Sequence, residues 1–151
     1  MDWTIRKAAK EDIPALFELL KSQAVNLGKV DCFINTPEKM ESEWDTFEAL
    51  LVLNKEGCVI GEAVYVFSYS TYRGKMLYLN DLFVKEAYRR QKVGTNLMQA
   101  LKKIALENDC DNIHWSVRDY NKDAIDFYKN QGVIFDTDGL ECYLKLTKYK
   151  K

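Results

Sequence analysis

The densest chemistry in the sequence lies in Lys85 to Thr95, where Lys85, Arg89, Arg90 and Lys92 set four cations against the single anion Glu86. A helix is expected to start directly after them, with Gly94 in its first turn. The first N–H groups of a helix have no carbonyl behind them, and the helix dipole adds to their pull on an anion. Gly94 lets a ligand approach the backbone closely. Thr95 adds a hydroxyl, and the Arg and Lys heads suit phosphate oxygens. The stretch reads as a phosphate or pyrophosphate site; the plainer alternative is a solvated charge run before an amphipathic helix. A second feature is Asn80-Asp81, two polar residues inside the otherwise nearly apolar run Met76–Val84. Buried polar groups need partners, so the pair marks a bulge, a hydrogen-bonded structural site or an active centre. Third, Asp31, Glu38, Glu41, Glu43, Asp45 and Glu48 face Lys39 alone within residues 31–48, a surface that attracts cations. For most of the six, a solvated helix face accounts for the charge equally well.

The elements that must position these groups follow from periodicity. Trp3–Lys7 reads as a first strand. Asp12 caps a helix with Pro14 in its first turn, and Ile13, Leu16, Phe17, Leu20 and Ala24 share one face. Residues 29–36 read as a loop, and Thr36-Pro37 starts a second short helix. Strands are expected at Ala49–Asn54, Cys58–Tyr69 and Met76–Val84, the last covered on both faces. A helix runs from Val93 to Asn108, burying Val93, Leu97, Ala100, Leu101, Ile104 and Ala105. Ile113–Val117 is a strand, Asn121 caps a helix ending near Asn130, and Gly132 sits where a left-handed residue is wanted. Val133–Phe135 and Cys142–Leu146 are expected as closing strands. The order β-α-α-β-β-β-α-β-α-β-β describes one α/β domain, 1–151, with a mixed sheet.

Composition removes several function classes. With 22 Lys+Arg against 23 Asp+Glu, the chain is not a polyanion binder by overall charge, so no nucleic acid is expected. No apolar run is long enough to cross a membrane, and the N-terminus does not look like a signal peptide. One His and four scattered Cys (Cys32, Cys58, Cys110, Cys142) without a CxxC pair give no expected metal site. Free, buried thiols in a reducing cytoplasm are the natural reading. His114 alternates with Ile113 and Trp115 on a strand and is not expected to be catalytic. The Lys148-Tyr149-Lys150-Lys151 tail reads as a solvated terminus.

Two spaced blocks resemble a known family. Leu79-Asn80-Asp81-Leu82-Phe83-Val84 followed by Tyr88-Arg89-Arg90-Gln91-Lys92-Val93-Gly94-Thr95 is similar to the Arg/Gln-x-x-Gly-x-Gly/Ala acetyl-CoA signature of the GNAT N-acetyltransferase superfamily. Asn121-Lys122-Asp123-Ala124-Ile125-Asp126-Phe127-Tyr128-Lys129-Asn130-Gln131-Gly132 resembles its Asn-x-x-Ala-x-x-Phe-Tyr-x-x-x-Gly block. Met76-Leu77-Tyr78-Leu79, Ile113-His114-Trp115 and Ile5-Arg6-Lys7-Ala8 fit as well, so the resemblance covers nearly the whole chain. Its nearest flavour is the diamine (spermidine/spermine) and thialysine acetyltransferase group.

The resemblance implies the GNAT acyl-CoA N-acyltransferase fold and acetyl-CoA as cofactor. Leu82, Phe83 and Val84 would line the pantetheine. Arg89 would add charge beside Arg90, Gln91, Lys92, Val93, Gly94 and Thr95, which would wrap the pyrophosphate. Asn121 and Ala124 would contact the far wall of the cofactor groove. Tyr128, taken alone a core aromatic, would lie near the thioester sulfur and donate a proton to the leaving thiolate. Main-chain N–H groups around Phe83 would polarise the thioester carbonyl. The acceptor would be a small primary amine (a diamine, polyamine or lysine-like molecule), acetylated directly in a ternary complex. Asp31, Asn80, Ser116, Asp119 and Asp138 would contact it, and a homodimer is expected. Other readings are acetylation of a protein N-terminus or lysine, and a CoA-binding sensor without turnover.

Two departures stand out. Lys92 replaces the first Gly of the signature; a left-handed backbone there costs Lys about 1 kcal/mol relative to Gly. Asn80 replaces a Glu that in the diamine group helps hold and deprotonate the amine, and an amide is no base at neutral pH. An amine of pKa about 10 still has to lose a proton, through water to Asp81 or to a carboxylate on the acceptor side.

Overall fold

Alternating apolar residues and a run of β-formers build one five-stranded sheet. The computed structural model describes residues 2–147 and residue 150, and the chain falls into two compact units, Met1–Ser116 and Val117–Lys151. The first unit holds β1 (Trp3–Lys7), α1 (Ile13–Asn26), α2 (Pro37–Ser42), β2 (Glu48–Asn54), β3 (Val59–Ser70), β4 (Gly74–Val84), α3 (Val93–Glu107) and β5 (Asn112–His114). The strands lie in the order β1-β2-β3-β4-β5. The first four are antiparallel, and β5 joins β4 in parallel after the α3 crossover. This is the mixed sheet that the sequence implied.

Pro14 sits in the first turn of α1, where its missing N–H leaves no bond unmade. Asp12, expected to cap that helix, does not do so. Its carboxylate takes the Arg6 guanidinium at 2.7 and 2.8 Å and the Ala9 N–H at 2.7 Å, a stronger charge-assisted set than a cap offers. Thr36 does cap α2, its hydroxyl accepting the Lys39 N–H at 3.1 Å. Ile13 and Leu16 of α1 and Met40 of α2 form a core cluster with Ala8, Ala49 and Leu51, against which Phe17, Leu20, Phe47 and Val64 pack. Each Ile, Leu, Met, Phe or Val side chain among them contributes about 1.5–3 kcal/mol when fully buried. Leu19, left off the predicted face of α1, is also buried. On α3 the buried stripe is Val93, Leu97, Met98, Leu101 and Ala105.

The second unit contains α4 (Lys122–Lys129), capped by Asn121, whose Oδ1 accepts the Ala124 N–H at 3.3 Å. Gly132 has φ of 71°, the left-handed value its place after α4 called for. The closing strands expected at Val133–Phe135 and Cys142–Leu146 are not formed: among the described residues, 133–146 carry no strand. Good β-formers make a strand only where a neighbouring strand completes the ladder, and Ile134, Leu140 and Tyr143 are largely exposed. The strand expected over Ile113–Val117 closes at His114, for a reason that lies in β4 and is given below.

The cysteines are free as expected, but not buried: Cys32, Cys58 and Cys142 are exposed and Cys110 is partly so. Cys58 and Cys142 lie in irregular chain and Cys32 in a 3-10 turn, where little packs over a thiol. Of the basic tail, Lys148, Tyr149 and Lys151 lie outside the described residues.

Candidate active site

The ladder between β3 and β4 steps from Val64↔Asp81 to Tyr65↔Leu79, so Asn80 has no partner on β3. It is a β-bulge, one of the outcomes that the polar interruption allowed. A bulge bends its strand, and the effect is visible on the other edge. β5 pairs with β4 only at Met76, Leu77 and Tyr78, just before the bulge. From Leu79 to Val84 the second edge of β4 has no strand beside it among the described residues. The orientation of its main-chain groups follows from one bond. Lys85 N–H donates to Ile60 C=O at 2.9 Å, on the β3 side. Alternate residues turn their backbone groups to opposite edges, so Phe83 faces β3 while Leu82 and Val84 face the open edge. Val84 C=O there accepts Arg89 Nε at 3.0 Å.

That edge leads into the basic junction. Arg90 and Lys92 both adopt left-handed backbone, with φ of 60° and 63°. Lys92 is the residue before α3 and has no capping side-chain bond. The first helical bond is Asn96 N–H to Lys92 C=O at 3.0 Å, so the N–H groups of Val93, Gly94 and Thr95 precede the ladder. Left-handed turns that aim successive N–H groups into one concavity make anion sites. Arg90 and Lys92 are exposed, and neither is in an ion pair among the described residues. Arg89 is a brace: besides its bond to Val84, its guanidinium lies 5.6 Å from the centroid of the Phe83 ring. Gln91 Nε2 donates to Ala87 C=O at 3.3 Å, and Asn54 Nδ2 to the Tyr88 hydroxyl at 3.1 Å, so the loop is tied at both ends.

On the face of the sheet covered by α1 and α2 lies a cleft of about 470 Å³. Gln23, Ala24, Phe33, Met40, Glu43 and Phe47 are among its walls; Val64, Asn80 and Asp81 belong to its lining from the sheet. The bulge explains why two successive β4 residues both reach it. Of the six anions at 31–48, only Glu43 lines the cleft. Glu43 is 3.8 Å from Lys39, and Glu48 is held by Lys7 at 2.6 Å. Asp31 is exposed and outside the lining, although its neighbours Cys32 and Phe33 belong to it.

One residue of this site escaped sequence reasoning. Glu62 of β3 stands opposite Phe83, and Asp81 opposite Val64, so Glu62 and Asp81 are diagonal neighbours on one face. Glu62 is fully buried, at 0% exposure. Among the described residues, no N–H or O–H group bonds Glu62 Oε1, Glu62 Oε2 or Asp81 Oδ2. Two carboxylates offer each other only acceptors, so their contact becomes a hydrogen bond when one of them holds a proton. Burial first, then the charge and hydrogen bonding of Asp81, hold the Glu62 carboxyl well above its ordinary range. The Val64 N–H, outside bonding geometry, opposes them. The signal was the one noticed at Asn80-Asp81: a charged residue inside the apolar run Val59-Ile60-Gly61-Glu62-Ala63-Val64.

Comparison with known proteins gives this architecture a family. The profile described as Acetyltransferase (GNAT) family matches residues 13–133. The chain belongs to the GNAT acetyltransferase family. Within the family it is 38% identical over 88 residues to a thialysine N-epsilon-acetyltransferase of Bos taurus, a match covering 57% of this chain and 52% of that protein. It is 30% identical over 105 residues to an L-ornithine N5-acetyltransferase of Arabidopsis thaliana, covering 69% of this chain and 43% of that protein. The chain thus spans about half the length of the curated relatives it matches. An aminoglycoside acetyltransferase from an uncultured soil metagenomic sample shares the fold, with a TM-score of 0.80 at 19% identity over 97% of both chains.

GNAT acetyltransferases generally use acetyl-CoA, and the residues of the first unit fit that molecule. An extended amide-bearing arm matches an open strand edge, and a pyrophosphate matches a left-handed turn with exposed cations at a helix start. The remaining sequence-predicted residues lie at the end of the first unit and in the second unit. Ser116 is exposed at the end of the first unit. In the second unit, Asp119 and Asp138 are exposed and Asn121 and Ala124 partly buried. Tyr128 is buried beside Phe127, ring centroids 5.2 Å apart.

Proposed function

We propose that the chain transfers acetyl from acetyl-CoA to the primary amine of a small molecule (a diamine, polyamine or lysine-like compound) in a ternary complex, without an acetylated residue. The observation that carries this reading is the bulge at Asn80, which joins two half-sites. One side of it is the open β4 edge running to the α3 anion turn; the other is the acid-bearing cleft. The chain is read as a single N-acetyltransferase domain, 1–151, and the family match runs through residues of each unit.

Bound acetyl-CoA supplies the activated acetyl group as a thioester. The Leu82 and Val84 main chain orients its arm, and the Val93, Gly94 and Thr95 N–H groups with Arg90 and Lys92 hold its phosphates. Leu82 and Val84 N–H face the edge where a carbonyl oxygen gains charge, the place for an oxyanion donor. Phe83 N–H, turned toward β3, is not available for that task. Of the two protons the ammonium nitrogen must shed, one passes to the Asp81 carboxylate and from there to water. The other ends on sulfur as a C–N bond replaces the C–S bond, with the Tyr128 hydroxyl as the donor to sulfur. Asn80 orients the amine by hydrogen bonds. Much of the remaining acceleration comes from alignment of the two reactants.

The same reading makes the protein a cytoplasmic homodimer. Its unbridged cysteines suit a reducing compartment, and light scattering tests the dimer. For the activity, free thiol is measured with acetyl-CoA and a panel of amines. Turnover is expected with aliphatic diamines or lysine-like amino acids. Tight acetyl-CoA binding with no thiol release for any amine would make the chain a CoA-binding module instead. Turnover on peptides alone would make it a protein acetyltransferase.

A further inference from the structure

We propose that Glu62 holds a proton shared with Asp81 and so positions Asp81 as the anion that receives the acceptor's ammonium group. The inference rests on the amine-acetylation reading for the identity of that cation, but the carboxyl pair itself does not depend on it. Two carboxyls on one sheet face cannot both ionise when one of them is wholly buried and no donor reaches it. The buried member keeps the proton, and that proton bonds the orphaned Asp81 Oδ2. Asp81, which lines the cleft, carries the single negative charge of the pair.

Among the described residues, no other charged group takes this place. Opposite Glu62 on β2 is Leu51, and next in the row on β1 is Arg6, whose guanidinium is committed to Asp12. On this face α1 and α2 present Leu16, Phe17, Leu20 and Met40, while Glu18 and Lys21 of α1 are exposed. Lys29 and Glu43 belong to the cleft walls. The arrangement answers the departure at Asn80. An amide there cannot take a proton, and the chain instead carries an acid one strand away that fixes the charge of its neighbour. Glu62 does not line the cleft, so it acts through Asp81 and is a positioning residue.

Two measurements on the full chain test this. In infrared spectra at neutral pH, wild type should show the carbonyl stretch of a protonated carboxyl, and Glu62→Gln should lack it. A wild-type spectrum without that band overturns the shared proton. In kinetics, Glu62→Leu should raise the amine KM about tenfold, the usual cost of losing a hydrogen bond to a charged group. Glu62→Gln, which keeps a donor, should return the KM to within about threefold of wild type. A purely structural Glu62 would lower the melting temperature and leave the KM unmoved; that result overturns the proposal. If no amine releases thiol, the acetylation reading fails, while the infrared band and amine binding by calorimetry still decide the role of Glu62.

Discussion

The two halves of the site are built by different means. The proposed cofactor half is local: residues 82–95 are contiguous, and the groups it would offer a ligand are mainly backbone groups whose direction follows from one ladder bond and two left-handed residues. The proposed acceptor half is assembled from distant parts of the chain, with Glu43 after α2, Glu62 on β3, and Asn80 and Asp81 on β4. Backbone groups serve any sequence that keeps the turn, so the first half tolerates Lys92 in place of Gly. Side-chain chemistry is not interchangeable in that way. Exchanging a carboxylate for Asn80 changes what the second half can do unless another acid answers it. A contiguous half preserves one ligand; a scattered half is where the identity of the acceptor can change.

The largest effects should separate the halves most sharply. Asp81→Asn removes the proposed proton acceptor and should lower kcat/KM for the amine about 100-fold or more, as expected for loss of general-base assistance. Tyr128→Phe removes a hydroxyl and should lower kcat by about the same factor. Acetyl-CoA affinity, read by calorimetry, should stay within about threefold of wild type in both. Equal loss of cofactor binding in either variant would erase the division between the halves.

How much of this was legible in the sequence follows from the same division. The turn at 85–95 could be read because helix starts and cation runs are local signals, and both α3 and the left-handed Lys92 lie where the pattern put them. The bulge was legible as a polar break in β4. Its consequence, an early end to β5 and an open edge, depends on how two strands diverge and is not written in either one. The charge of Glu62 inside an apolar run is legible, but one acid in a strand gains its meaning only from the residue diagonal to it. Asp12 went to Arg6 for a similar reason: a tertiary partner outcompeted the local cap. The closing strands were expected from β-formers alone, with no partner strand specified.

Glu62 also makes stability a probe of the acceptor half. Its carboxyl is raised in the fold above its unfolded value, so the folded state binds more protons. The contribution of Glu62 is therefore fully present below the ordinary carboxyl range and is lost as pH rises through the raised value. As pH rises from the ordinary carboxyl range, wild type should lose stability that Glu62→Gln does not lose. Urea unfolding at several pH values measures the difference. Parallel curves for the two proteins would place both carboxyls in contact with water and remove the pair.

In the cofactor half the matching probe is Lys92→Gly. Gly adopts φ near 63° without strain, so the fold should gain about 1 kcal/mol. An exposed cation adds only about 0.2–1 kcal/mol to an ion contact, so acetyl-CoA should bind up to about fivefold more weakly. The loss should fade at high salt. Tighter binding in the Gly variant would show that strain outweighs the ammonium.

The smallest effects decide which acids of residues 31–48 belong to the acceptor half at all. Glu43 lines the cleft but shares its charge with Lys39 at 3.8 Å. Asp31 is exposed outside the lining. An exposed carboxylate acts on a cationic amine through a screened field, worth at most about 1 kcal/mol. Glu43→Gln should therefore raise the amine KM about two- to fivefold at low salt, with kcat unchanged. Asp31→Asn should raise it less than about twofold, since its field reaches the amine through water. The reverse order would mean that the 30–32 turn closes over the bound amine, and the loop would then join Asp81 and Glu62 in defining the acceptor.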